Sequence, residues 1–259
     1  MGWEGVLGFG LGMLVRGMVF RIDPHVHTYF SADGLGSPEA MVAAARAAGL
    51  HGMVVTDHDV TFGCSALREA GLMRGEGCAV DGCLVIPGCE VSTAEGHLLC
   101  WGVDVPWLRH APALEVARIV RGLGGVVVPA HPYDRMRAGI REAVLDGFEW
   151  DAVEVLNAAT WSRSRNEKAG EYAGRRGLPG TAGSDAHHPA ALGSAWTEVE
   201  AGELTVASFL GAVRAGTVCP AGRTLSAAEI VRKTFFNWFR VFGRGYHLRR
   251  RAMREAGLR

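Results

Sequence analysis

Short runs of aliphatic and β-branched residues alternate along the chain with stretches of helical composition or spacing. The apolar runs predict strands over residues 18–24, 52–56, 83–91, 97–103, 125–130, 152–156 and 178–182. Between them, residues 37–48, 64–73, 112–123, 138–145 and 161–176 read as helices. Such alternation is the pattern of βα units around a parallel sheet or barrel. Ser37-Pro38-Glu39 supplies an N-cap, a proline at the first helical position and an early acid, and Gly49 stands where the same helix should close. Residues 204–215 and 227–241 predict two further helices. The second sets Ile230, Phe235, Trp238, Phe239 and Phe242 among Arg232, Lys233, Arg240 and Arg244, so it is amphipathic and basic. No repeat of fixed period is visible, which excludes a solenoid or propeller.

Composition narrows this picture. With 259 residues, 48% apolar and 21% charged, the chain can bury a full core as one barrel-sized domain or as two small ones, and disorder and collagen are excluded. Glycine, 36 residues or about 14%, is roughly twice its usual share and falls in single turns. The net charge of +0 hides an asymmetry: residues 221–259 carry nine Arg and one Lys against two Glu, a balance of +8, which leaves −8 in residues 1–220. Such a tail either meets a polyanion or docks on its own acidic body. Cys64, Cys78, Cys83, Cys89, Cys100 and Cys219 form no CxxC pair, so they read as reduced, mostly buried thiols of a cytoplasmic protein. Residues 5–15 imitate a signal segment but follow Glu4, lack a small-residue cleavage site and are too short to span a bilayer. Residues 1–17 therefore read as an extension, with Met18 as an alternative start.

The distinctive feature is where histidines and acids fall. The first predicted strand ends Asp23-Pro24-His25-Val26-His27, the second Thr56-Asp57-His58-Asp59 and the third Gly88-Cys89-Glu90. His97 opens the fourth, Pro129-Ala130-His131-Pro132 ends the fifth, and Gly183-Ser184-Asp185-Ala186-His187-His188 follows the seventh. Strand C-termini are where βα barrels build active sites. Residues i and i+2 of an extended segment point the same way, so His25 and His27 can grip one ion together. Imidazole and carboxylate suit Zn, Mn or Fe, and crowded into one mouth they would be costly without cations.

Taken in order, Asp23-Pro24-His25-Val26-His27 with Ser31-Ala32-Asp33-Gly34, Thr56-Asp57-His58, Gly88-Cys89-Glu90, His131-Pro132 and Ser184-Asp185-Ala186-His187 resemble the motifs of the polymerase and histidinol phosphatase (PHP) family of metal-dependent phosphoesterases. The resemblance implies a distorted (β/α)7 barrel over residues 18–220, with residues 221–259 as a C-terminal helical extension. It also implies two or three divalent metal ions, manganese, iron or zinc. Carried over by position, His25, His27, Glu90 and Asp185 would hold one ion, with Glu90 bridging to a second completed by His131 and His97. Asp33, His58 and His187 would hold the third; Asp33 also fits an Asp-Gly turn, and His97 also has a plain structural reading. Asp57 and Asp23 read as carboxylates that orient ligating imidazoles.

Hard cations a few Å apart neutralise phosphate oxygens, activate a bridging water at neutral pH and steady an in-line transition state. Hydrolysis of a phosphoester by such an activated hydroxide is therefore the expected reaction, with Glu90 and Asp185 at its centre and Ser92 and Ser184 structural. Arg135, three residues beyond Pro132, and Arg163, Arg165 and Lys168 are candidates to clamp a phosphate; Arg135 reads equally as a surface residue. His188 is placed either to protonate the leaving oxygen or as a loop histidine. The expected substrate is a small phosphomonoester, such as a nucleoside monophosphate or histidinol phosphate. The alternative is an exonuclease or phosphodiesterase acting on oligonucleotide ends, gripped by Arg249, Arg250, Arg251 and Arg254. A binding module on a barrel scaffold would have lost ligands, and an amidohydrolase commonly adds a bridging lysine that no strand end here supplies.

Overall fold

The computed structural model describes residues 17–74, 79–231, 235 and 243–258. Residues 1–16, Cys78 and six positions of the basic amphipathic stretch (Arg232, Lys233, Trp238, Phe239, Arg240 and Phe242) lie outside the described residues.

The apolar runs become strands β1 (Met18–Val26), β2 (Gly52–Val55), β3 (Leu84–Ser92), β4 (His97–Trp101), β5 (Val126–Pro129), β6 (Val153–Asn157) and β7 (Gly180–Gly183). Two strands that the pattern did not suggest follow, β8 (Ala195–Ala201) and β9 (Val218–Gly222). Seven of these form one sheet in the order β5-β4-β3-β2-β1-β8-β9, while β6 and β7 pair separately. The expectation of a uniformly parallel sheet is corrected here. β1–β2 and β2–β3 are parallel, but β4 runs antiparallel to both β3 and β5, and β8 runs antiparallel to β1 and β9. The cause is local: only a few residues separate Ser92 from His97, too few for the crossover that a parallel neighbour requires.

The parallel β6–β7 pair lies across the opening of the curled sheet. Asp151 N–H reaches the Val127 carbonyl at 3.4 Å on one side, and His27 N–H reaches the Ala186 carbonyl at 2.9 Å on the other. The fold is thus mixed α/β, a curled half-barrel with helices outside it.

Those helices are α1 (Pro38–Ala47), α2 (Phe62–Glu69), α3 (Ala113–Gly122), α4 (Glu142–Leu145), α5 (Arg163–Arg176), α6 (Val206–Ala215) and, in the basic tail, α7 (Arg244–Glu255). Ser37 caps α1 as its sequence indicates, accepting the Ala40 N–H, and Gly49 takes a left-handed φ of 73° just beyond the helix. The predicted 138–145 helix shrinks to α4, because Ala138 adopts a φ of 54° and residues 135–137 form a 3₁₀ turn. Residues 227–231 are helical, as expected for the start of the 227–241 stretch.

Inside the half-barrel, Ile22, Val54, Leu84, Leu99, Trp101 and Val128 meet Phe209 of α6. A second cluster joins Val116 and Val120 of α3 to Val127, Val153 and Tyr172 of α5. Each fully buried aliphatic side chain contributes about 1.5–3 kcal/mol of transfer free energy.

Cys64, Cys83, Cys89 and Cys100 are unpaired thiols within this core, and Cys219 is exposed. Burial pushes Cys64 up to about 12 and Cys83 to about 11, and raises Cys89 and Cys100 as well. Since thiolate is the reactive form, a thiol reagent applied to native protein is expected to mark Cys219 at once and these four only on unfolding. Peptide mapping that found rapid native labelling of Cys89 or Cys100 would contradict this burial.

Candidate metal centre

The strand ends converge as the alternation of β1 requires. Both His25 and His27 turn inward and are fully buried, and each places Nε2 3.2 Å from Glu90 Oε2. Glu90, on β3, sits at the centre of the cluster. Its Oε2 also faces His58 Nδ1 at 3.3 Å, while its Oε1 faces His97 Nδ1 at 2.8 Å and His131 Nε2 at 3.0 Å. One buried carboxylate thus turns its two oxygens to different sets of imidazoles. Asp185 Oδ1 lies 3.8 Å from His25 Nε2, 3.5 Å from His27 Nε2 and 3.3 Å from His187 Nδ1. Asp33 closes the remaining side, with Oδ2 2.8 Å from His187 Nε2 and Oδ1 3.8 Å from His58 Nε2.

Backbone geometry aims several of these groups. His131 and Asp185 adopt positive φ, 30° and 52°, as does Asp59 beside His58 at 61°. Such conformations cost non-glycine residues on the order of 1–3 kcal/mol and persist where surrounding structure holds them. Glycines admit the close approaches: a Cβ on Gly183 would lie 2.6 Å from His25 Cβ, and one on Gly34 only 1.7 Å from the Thr28 carbonyl oxygen.

Supporting contacts differ in part from those the sequence suggested. Asp23 Oδ1 accepts the N–H groups of Ser184 at 3.0 Å and His25 at 3.3 Å, tying the first motif to the last. Asp57 accepts the Thr28 N–H at 2.6 Å and hydroxyl at 2.8 Å, so it fixes the loop after His27 instead of an imidazole. Burial pushes both Asp23 and Asp57 up to about 6. The carboxylate that does orient an imidazole is Glu154 of β6, a residue the motifs do not mark. It accepts from His25 Nδ1 at 2.8 Å and from the backbone N–H of His131 at 2.6 Å. Its signal was present, a single acid among Ala152, Val153, Val155 and Leu156 on a strand that must face inward every second residue.

The arginines after Pro132 face different ways, and the exposure of Arg135 agrees with its surface reading. Arg135 is exposed, while Arg137, two residues on, reaches Asp185 Oδ2 and donates to Asn157 Oδ1 at 3.1 Å. Asn157 in turn donates to Asp185 Oδ2 at 3.0 Å and to Glu154 Oε2 at 3.1 Å. Of the other candidate clamps, Arg165 is held by buried Asp134 at 2.5 Å and Arg163 pairs with Glu167 at 3.1 Å. His188 Nδ1 accepts the Ala190 N–H at 3.1 Å, capping a 3₁₀ turn, which favours its loop reading.

These residues suit metal ions. Among the described residues, four groups of at least three ligand atoms gather within 4.8 Å: His27, Asp33, His58 and His187; His25, His27 and Glu90; His25, His131 and Asp185; and His58, Glu90 and His97. His27 Nε2 and His58 Nδ1 are buried and make no hydrogen bond of normal geometry, although Glu90 is within 3.3 Å of both. The Glu154 contact occupies His25 Nδ1 and leaves Nε2 as the lone pair facing Glu90, the arrangement usual for ligating imidazole. The buried charges shift one another strongly. Burial alone would raise Glu90, but His58, His25 and His97 hold it well below the carboxylate range. Burial would lower His27, but Asp185 and Glu90 lift it to about 9.

Comparison with known proteins places this geometry in context. A model of the PHP domain matches residues 23–188, and a PHP-associated model matches residues 163–218. A probable phosphatase from Caldicellulosiruptor saccharolyticus is 34% identical over 91 residues, so the match spans about a third of that relative, 36%, and 34% of this chain. A two-domain protein from Bacteroides vulgatus containing a predicted PHP-like metal-dependent phosphoesterase superimposes with a TM-score of 0.66, at 20% identity over 85% of this chain and 70% of its own. PsfC from Pseudomonas syringae gives 0.67 at 19% identity, over 85% of this chain and 98% of its own. Endonuclease Q from Pyrococcus furiosus gives 0.61 at 19%, over 79% of this chain and 59% of its own. At these identities the structural likeness is one of fold.

Proposed function

The chain belongs to the PHP domain family of metal-dependent hydrolases, and from that premise we propose that it is a phosphatase acting on a small phosphomonoester within a distorted seven-stranded barrel. The observation that carries the reading is Glu90, whose two oxygens meet separate histidine sets at 2.8–3.3 Å, as a carboxylate shared between neighbouring cations would. His25, His27, Glu90 and Asp185 would hold one ion; Glu90, His97 and His131 a second; Asp33, His58 and His187 a third. Bound there, manganese, iron or zinc would neutralise phosphate oxygens and lower the pKa of water at neutral pH. The residues around them hold the constellation still. Glu154 keeps the His25 proton on Nδ1, Asn157 steadies Asp185, and Ser31 Oγ lies 3.2 Å from His27 Nδ1. Arg137, held between Asn157 and Asp185, would bring a guanidinium within reach of a phosphate oxygen there.

Elemental analysis of gently purified protein, joined to a phosphate-release screen, tests this. Stripping with a chelator is expected to abolish hydrolysis and lower the melting temperature by several degrees, and Mn²⁺ to restore both. Protein that binds no Mn²⁺, Fe²⁺ or Zn²⁺ and stays inactive would overturn the reading.

The basic tail supports a second reading, cleavage at oligonucleotide ends. Endonuclease Q, which shares this fold, has been solved with a 27-mer duplex carrying an abasic lesion at its active site. Oligonucleotide cleavage that falls steeply with salt would favour that reading over the monoesterase.

A further inference from the structure

The C-terminal charge does not all face solvent. Arg251 pairs with Glu255 at 2.7 Å and Arg250 lies over the Tyr246 ring at 5.7 Å, so both are engaged along α7 itself. Arg249 turns the other way and is half-buried, its Nε donating to the Phe30 carbonyl at 2.9 Å. The helix is seated closely at this point, since a Cβ on Gly245 would lie 2.3 Å from Tyr29 Cβ. The loop beneath it is the one that carries Ser31 and Asp33 into the metal centre.

Arg249 brings positive charge to this rim with no carboxylate within 4.0 Å among the described residues, and none of them engages its two terminal nitrogens. A second guanidinium is already there. Arg109, from the β4–α3 connection, has Nε 3.5 Å from Asp59 Oδ2, but that carboxylate is also occupied by the Ser92 N–H at 2.7 Å and hydroxyl at 3.0 Å. Burial, and next the charge of Arg109, lower the proton affinity of Arg249, while Asp57, Asp59 and Asp33, none of them in ion-pair contact with it, offset part of that. Two guanidiniums thus stand on the loops that border the metal centre, one over the Asp33 loop and partly desolvated without an ion pair, the other on Asp59 beside His58, and an anion with several acceptor oxygens would satisfy both.

We propose that Arg249 and Arg109 form an anion clamp beside the metal centre that binds phosphoryl oxygens of the substrate, which makes the C-terminal helix part of the substrate site. The clamp rests on the phosphoesterase reading for its role, but its ligand chemistry can be measured without turnover. Each guanidinium presents a planar fork to two oxygens, and Arg249 has both terminal nitrogens available while Nε holds Phe30.

The test uses the full-length, manganese-loaded chain, with inorganic phosphate titrated by calorimetry and para-nitrophenyl phosphate as substrate. Arg249→Met is expected to weaken phosphate binding and raise KM by about tenfold or more, with kcat and manganese content little changed. Arg249→Lys should recover part of the affinity through charge alone, and Arg109→Met should weaken binding by about threefold to tenfold. Phosphate affinity and KM within about twofold of wild type in folded Arg249→Met would overturn the clamp. Should Arg249→Met unfold, an unchanged phosphate affinity in folded Arg109→Met would overturn it instead. A wild-type chain that hydrolyses no ester yet binds phosphate through Arg249 would sink the phosphoesterase reading and leave the clamp standing. Wild-type protein that hydrolyses esters but binds no phosphate would do the reverse.

Discussion

Replacing Glu90 with glutamine is expected to remove at least one metal ion per chain and to cut phosphate release by about a thousandfold, close to 4 kcal/mol of transition-state stabilisation. The variant keeps the shape of the side chain and loses its charge. Glutamine offers one carbonyl oxygen and one amide NH₂, so whichever way it turns, one set of imidazoles meets a donor where it met an anion. Either His97 and His131, or His25, His27 and His58, lose their shared carboxylate oxygen. The metal-free protein should still fold, because Glu90 is held by histidines more than by the hydrophobic core. Elemental analysis and steady-state kinetics on the same preparation give the answer. Full metal content with near-native hydrolysis would mean that Glu90 does not bridge.

The second large effect concerns stability. Trp101 is fully buried on β4, with its ring 5.6 Å from that of Phe209, so it joins the sheet to α6. Trp101→Ala is expected to destabilise the fold by about 3–5 kcal/mol through lost transfer free energy and the cavity left behind. In a chain of this size that lowers the melting temperature by roughly 6–20 °C. Trp101→Phe should cost less, because one ring's worth of packing is kept and because Trp101 Nε1 is buried with no hydrogen-bond partner, so its removal relieves an unmet donor. Thermal melts of the two variants decide the matter, and equal losses would show that the indole makes a contact the ring packing does not account for.

Much of the cluster was readable before the fold was known. A strand reverses its side chains at every residue, so His25 and His27 had to share a face, and the acids and histidines at other strand ends had to face the same mouth. The structure gathers His25, His27, Asp33, His58, Glu90, His97, His131, Asp185 and His187 there. What escaped was set by features of weak sequence signal. β8 alternates buried Ala195, Thr197 and Val199 with Trp196, Glu198 and Glu200, and so small and polar an inward face does not stand out from a loop. That Arg137 and not Arg135 meets Asp185 is decided by the 3₁₀ turn and the left-handed Ala138, and neither conformation has a distinctive composition. Asp57 was assigned to an imidazole and went to Thr28, a choice made by the course of a loop.

The tie between Asp23 and Ser184 joins residues 161 positions apart, and that separation has a consequence during synthesis. At about 5–20 residues per second, His25 is added to the chain roughly 8–30 s before Asp185. By the end of that interval the nascent chain carries five of the cluster's six histidines, His25, His27, His58, His97 and His131, with no complete coordination sphere, and contacts of such long range form late in folding. A complete metal site therefore cannot form before Asp185 and His187 have been added, and until then the earlier histidines are open to whatever else captures imidazoles in a cell.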